Sequence, residues 1–157
     1  MYSTLLTIHS LIRWLVLASL LVALFVAYKG WFSARPFTAA SNRIRHITAT
    51  ISHIQLAAGI WLYYISPVIR YFLHNYREAV HDRTTRFFGM EHSAMMFTAV
   101  ILITVGSAHA KRRHTDRLKF KTMAIWYSLA LLVILLMIPW PFSSLASRPY
   151  ARGFAGF

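Results

Sequence analysis

Four stretches of the chain are nearly unbroken in apolar side chains, and the polar residues gather between them. The first runs from about Leu5 to Tyr28, the second from about Ile47 to Ile69, the third from about Phe87 to Ala110, and the fourth from about Met123 to Phe142. A helix needs roughly 20 mostly apolar residues to cross about 30 Å of hydrocarbon, and each stretch meets that length. None alternates apolar and polar positions as a barrel strand would. The pattern predicts an all-α protein: one domain, residues 1–157, folded as an integral membrane four-helix bundle in up-down-up-down order. Gly30 and Pro36 mark the first turn, Arg70 to Arg86 a longer polar connection, and Lys111 to Arg117 the third turn. Thr38 to Arg45 leads towards the second helix, which either kinks at Pro67 or stops there. The first stretch lacks a basic leader and is interrupted by Arg13, so it is expected to remain as a helix and not to act as a signal peptide.

Composition agrees with that picture. Hydrophobic residues make up 57% of the chain and charged residues 13%, against roughly one-quarter charged in soluble domains. The net charge of +13 comes from basic residues in the connections, which the positive-inside rule explains without nucleic acid. The first and third connections and their flanks hold Lys29, Arg35, Arg43, Arg45, Lys111, Arg112, Arg113, Arg117, Lys119 and Lys121. The opposite side holds Arg70, Arg77, Arg83, Arg86, Arg148 and Arg152. That imbalance places both termini outside the cytoplasm of a bacterial inner membrane. Trp31, Trp61, Tyr63, Tyr64, Trp126 and Trp140 sit towards the ends of spans, as an aromatic belt requires. Ala57, Ala58, Gly59, Gly106 and Ser107 offer close helix contacts.

With no cysteine, thiolate chemistry and cysteine-held clusters are excluded, and a bound metal or cofactor must rely on His, Met, Glu or Tyr. No phosphate loop, nucleophile elbow or zinc-protease motif appears. Attention falls on ionisable groups at membrane depth, which are costly and face an interior or a cavity. His9 lies about 11 Å from the centre of its span and His92 about 10 Å from the centre of the third, both outward. They are expected at one depth on antiparallel neighbours, where two axial ligands could hold one haem iron. Arg13 shares a helical face with His9 and is expected to pair with a haem propionate or with Glu91. His53, about 7 Å from its span centre on the cytoplasmic side, is out of reach of that iron. It is left to a second haem with His109, to a quinone, to a proton path, or to Tyr127. Met95 and Met96 read as apolar filler, although a thioether can ligate haem. His81 with Asp82 has no specific metal spacing.

The segments Ile8-His9-Ser10-Leu11-Ile12-Arg13-Trp14, His53-Ile54-Gln55-Leu56-Ala57-Ala58-Gly59, Tyr63-Tyr64-Ile65-Ser66-Pro67 and Arg86-Phe87-Phe88-Gly89-Met90-Glu91-His92 carry a resemblance, as do Ile138-Pro139-Trp140-Pro141-Phe142, Arg148-Pro149 and Gly153-Phe154. Together they resemble a small four-span bacterial family labelled "cytochrome b", common in Bacteroidetes. The resemblance implies a haem b protein handling electrons in the membrane. A weaker likeness, limited to the early histidine, the nearby Trp14 and the number of spans, is to four-span membrane protoporphyrinogen oxidases. The leading expectation is a b-type cytochrome passing electrons between a quinol and another acceptor, with a redox partner protein beyond it. Two other classes stand beside it: a non-catalytic accessory subunit of a respiratory or transport complex, and a copper-handling protein using His and Met.

Overall fold

The computed structural model describes residues 1–150, so Arg152, Gly153 and Phe154 lie outside the described residues. The described chain is helical, with no strand. Its elements are α1 (Tyr2–Phe32), α2 (Ala39–Ile65), α3 (Pro67–His74), α4 (Tyr76–Ala79), α5 (Arg83–Arg86), a π-helical turn (Phe87–Glu91), α6 (His92–Arg112) and α7 (Asp116–Met137).

The helices do not begin and end where the apolar runs do. α2 starts at Ala39, well before Ile47, because the Thr38 hydroxyl accepts from the Ser41 amide at 3.3 Å and caps a polar first segment. It ends at Ile65, short of Ile69. Pro67 has no N–H to donate and its ring crowds the preceding turn, whereas the first position of α3 tolerates it. The axis bends there by 59°. The third span begins at Arg83, where α5, the π turn and α6 run on as one helix. α7 stops at Met137, not Phe142, because Pro139 and Pro141 cannot continue it.

Three helices are long and apolar enough to cross a membrane: α1, the continuous helix Arg83–Arg112, and α7. The bent pair of α2 and α3 makes a fourth if it counts as one span. By length and composition this is a multi-pass membrane protein. Its outward faces carry Leu15, Leu21, Phe25, Ile60, Leu132 and Leu136, all exposed and suited to lipid tails.

α1 packs on α2 and α7, and α6 packs on the same two helices, so α1 and α6 stand diagonally. The starts of α1 and α6 share one cavity with the ends of α2 and α7. Those helices therefore alternate in direction, and α1 and α6 run parallel. This corrects the expectation that His9 and His92 sit on antiparallel neighbours. They share one end because each is near the start of its own helix. Leu20, Ala23, Ala99, Ile103, Met123 and Tyr127 fill the centre. Two glycines set close approaches: a Cβ on Gly30 would overlap the Phe120 ring, and one on Gly106 would overlap Trp126. Ala57 is exposed.

Gly106→Val should therefore push α6 off α7, costing about 1–3 kcal/mol. Thermal unfolding in detergent would show a lowered midpoint, while Ala57→Val on the exposed face leaves it unchanged.

Candidate functional site

A cavity of about 380 Å³ opens at the end where α1 and α6 begin. That volume falls within the range of roughly 300–1,000 Å³ typical of cofactor and small-molecule pockets. Its walls are largely apolar, with Leu6, Leu56, Ile60 and Ile103 among them. The polar groups that converge on it are His9, Arg13, Gln55, Tyr63 and His92, joined by Arg148 from the segment after α7.

His92 is oriented by two prolines it does not touch in sequence. In a continuing helix the carbonyls of Leu135 and Met137 would accept from residues 139 and 141, which are both proline and have no N–H. The Trp140 indole donates to the Leu135 carbonyl at 2.9 Å. His92 Nδ1 lies 2.8 Å from the Met137 carbonyl. A carbonyl only accepts, so Nδ1 carries the hydrogen, and in the neutral ring Nε2 keeps its lone pair. The rings of Phe87 and Phe88, with centroids at 5.6 and 6.0 Å, flank the imidazole. This is the arrangement in which a histidine is held in one tautomer for ligation.

His9 is held by α2. The Gln55 amide nitrogen donates to the His9 carbonyl at 3.0 Å, which fixes which end of the amide faces α1. The same nitrogen lies 3.3 Å from His9 Nε2, so Nε2 is the accepting nitrogen and Nδ1–H faces the other way. Gly59 leaves room for the ring, since a Cβ there would come within 3.2 Å of His9 Cε1. Arg13 Nη2 and the Trp14 indole both donate to the Tyr150 carbonyl, at 2.6 and 3.1 Å, tying to α1 the tail whose Arg148 and Pro149 line the cavity. Three buried atoms of this group, His9 Nδ1, Arg13 Nε and Gln55 Oε1, have no hydrogen-bond partner among the described residues. Orphaned polar atoms gathered around one apolar cavity are rare without a role.

Glu91 does not belong to this group, and its expected pairing with Arg13 is corrected. Glu91 Oε1 meets Arg86 Nε at 2.7 Å, and Arg86 also donates to the Val80 carbonyl at 3.2 Å. The partners are five residues apart. In an α-helix that spacing is rotated by about 140° and would separate them. In the π turn the His92 amide reaches back to the Phe87 carbonyl, which brings positions five apart onto one face. Gly89 permits the wide turn to lie against the Phe72 ring, where any Cβ would overlap, and the Tyr63 hydroxyl donates to its carbonyl at 3.0 Å.

His53 lies away from the cavity, as its depth predicted. Its Nε2 is 2.8 Å from the Thr104 hydroxyl, and it lines a second pocket between α2 and α6. It meets neither proposed partner: the His109 ring packs on Trp126, and the Tyr127 hydroxyl donates to the Arg45 carbonyl at 3.0 Å. Of the two methionines, only Met96 lines the first cavity. Asp82 is occupied as a helix cap. Hydrogen bonds from the Thr85 hydroxyl and amide, the latter at 2.7 Å, hold its carboxyl below the usual carboxylate range. Among the described residues no group of three or more His, Asp or Glu gathers around a common point. Reading the sequence missed Tyr63 and Arg148 as lining residues. Tyr63 stands two turns after Gln55 and one after Gly59 on the same face of α2, a spacing that could have marked it, whereas Arg148 comes in only with the returning tail.

Comparisons with protein-family models, curated proteins and solved structures find no match.

A double-mutant cycle in detergent tests the corrected pairing. Arg86→Ala and Glu91→Ala should be coupled by up to about 1 kcal/mol, whereas Arg13→Ala and Glu91→Ala should add within about 0.5 kcal/mol. Stronger coupling to Arg13 than to Arg86 would restore the original assignment.

Proposed function

We propose that the chain is a b-type cytochrome of a bacterial inner membrane, a four-span bundle that passes electrons between a quinol and another acceptor. The resemblance to the four-span "cytochrome b" family points the same way. One observation carries the reading. His9 and His92, on diagonal helices, line a single apolar cavity, and His92 presents Nε2 with its lone pair uncommitted.

The residues fit a haem. Apolar walls suit a porphyrin, His92 would supply one nitrogen ligand, and Arg13 and Arg148 line the cavity as cations for the propionates. His9 would supply the second nitrogen ligand through Nε2, which here accepts from Gln55, and its orphaned Nδ1–H marks a ring not yet fully partnered. Bound there, haem supplies one-electron chemistry. The protein holds both imidazoles, lines the cavity with apolar Leu56 and Phe88, and ties the tail to α1 through the bond from Arg13 to the Tyr150 carbonyl. Glu91 is left out of the ligand set, and His53 belongs to a different pocket. The accessory-subunit reading draws on the bond from His92 to Met137, which a purely structural histidine also makes.

Visible absorption of the purified protein, expressed with ample haem, separates the two. The expected result is a Soret band at one haem per chain, reduced at least tenfold in His92→Ala and His9→Ala. Imidazole should restore part of it in His92→Gly, and Gly59→Val should lower haem loading by crowding His9. A colourless protein, or a Soret band indifferent to both histidines, would overturn the cytochrome reading.

A further inference from the structure

The second pocket, of about 240 Å³, lies between the start of α2 and the end of α6. Arg45, His46, His53 and Lys111 line it, with the hydroxyls of Thr50 and Ser107 between them. No acidic residue does. The chain has only four acids. Glu78, Asp82 and Glu91 belong to α4, the cap of α5 and the π turn, in the segment that leads into the start of α6, and Asp116 is engaged by Lys119 at 3.1 Å.

Arg45 is the telling member, because it is only 6% exposed yet has no anionic partner among the described residues. Its Nε and Nη2 donate to Asn42 Oδ1 at 3.1 and 2.9 Å, and its Nη1 donates to the Ser107 carbonyl at 3.0 Å and to the Ser107 hydroxyl. These neutral acceptors fix the guanidinium in place and leave its charge uncompensated. A buried charge is expensive unless it is paired. His53 is fixed as well: the Thr104 hydroxyl donates to the Val100 carbonyl at 2.7 Å, so His53 Nε2–H is the donor to Thr104. Lys111 and His46 stand exposed at the rim, free to close on a ligand.

We propose that this pocket binds a phosphate group, with Arg45 as the fixed cation and Lys111 and His46 as the rim. The phosphate is carried either by an anionic phospholipid head or by free inorganic phosphate. Basic pockets between membrane helices recognise lipid headgroups, and Arg45, with four of its five N–H donors given to Asn42 and Ser107, keeps one Nη2–H and its positive charge for a phosphate oxygen. The proposal is independent of the haem reading.

Native mass spectrometry of the full chain, with phosphatidylglycerol, phosphatidylcholine or inorganic phosphate added, tests it. The expected result is one retained phosphatidylglycerol, with affinity about tenfold weaker in His46→Ala/Lys111→Ala, and phosphatidylcholine weaker than phosphatidylglycerol. Both rim side chains are exposed, so thermal unfolding should be unchanged, and Lys111→Ala alone gives an intermediate loss should the pair fail to fold. Displacement of the lipid by millimolar phosphate assigns the site to the free ion, and resistance to it assigns the site to the lipid head. Equal retention of every probe by the wild type and the rim variants would overturn the proposal.

Discussion

At membrane depth no water satisfies a backbone carbonyl, and much of the first cavity follows from that one constraint. Pro139 and Pro141 withhold the amides that Leu135 and Met137 would otherwise use. The Trp140 indole answers the first carbonyl and the His92 imidazole answers the second. Joining the start of α6 to the end of α7 in this way commits one nitrogen of His92 to structure and turns the other towards open space. The site is thus partly a by-product of how a helix is ended in lipid.

The two polar pockets share the seam between α2 and α6 and differ in what each lacks. The first has polar atoms without partners: His9 Nδ1, Arg13 Nε and Gln55 Oε1. The second has hydrogen bonds in place but a charge without a counter-charge, on Arg45. The bond between His53 and Thr104 belongs to the second pocket, close along α2 to Ser52 and Gln55 of the first. A group that enters the first pocket must offer ligands and acceptors, whereas one that enters the second must offer negative charge.

The long helices were legible in the sequence because an apolar run of sufficient length has few alternatives in lipid. Their ends were less so. Thr38 to Arg45 was expected to lead towards the second helix, and the Thr38 cap makes Ala39 to His46 its first turns, outside the apolar run. His9 and His92 were found because polarity at membrane depth is conspicuous, and their shared end follows from their positions near helix starts. The partner of Glu91 was not legible, since helical spacing pairs residues three or four apart and the π turn pairs residues five apart. Arg45 was counted among the surface cations because the sequence does not show that Ser107 and Tyr127 close over it.

The wide turn at Phe87–Glu91 makes the ion pair of Arg86 and Glu91 a gauge of helical winding. If the segment tightened to ordinary α-helix, every side chain on one side of it would rotate by about 100° relative to the other. The acid and the base would part, and the His92 imidazole would swing off the Met137 carbonyl. A salt bridge that never touches the cavity thus depends on the same winding as the histidine that does.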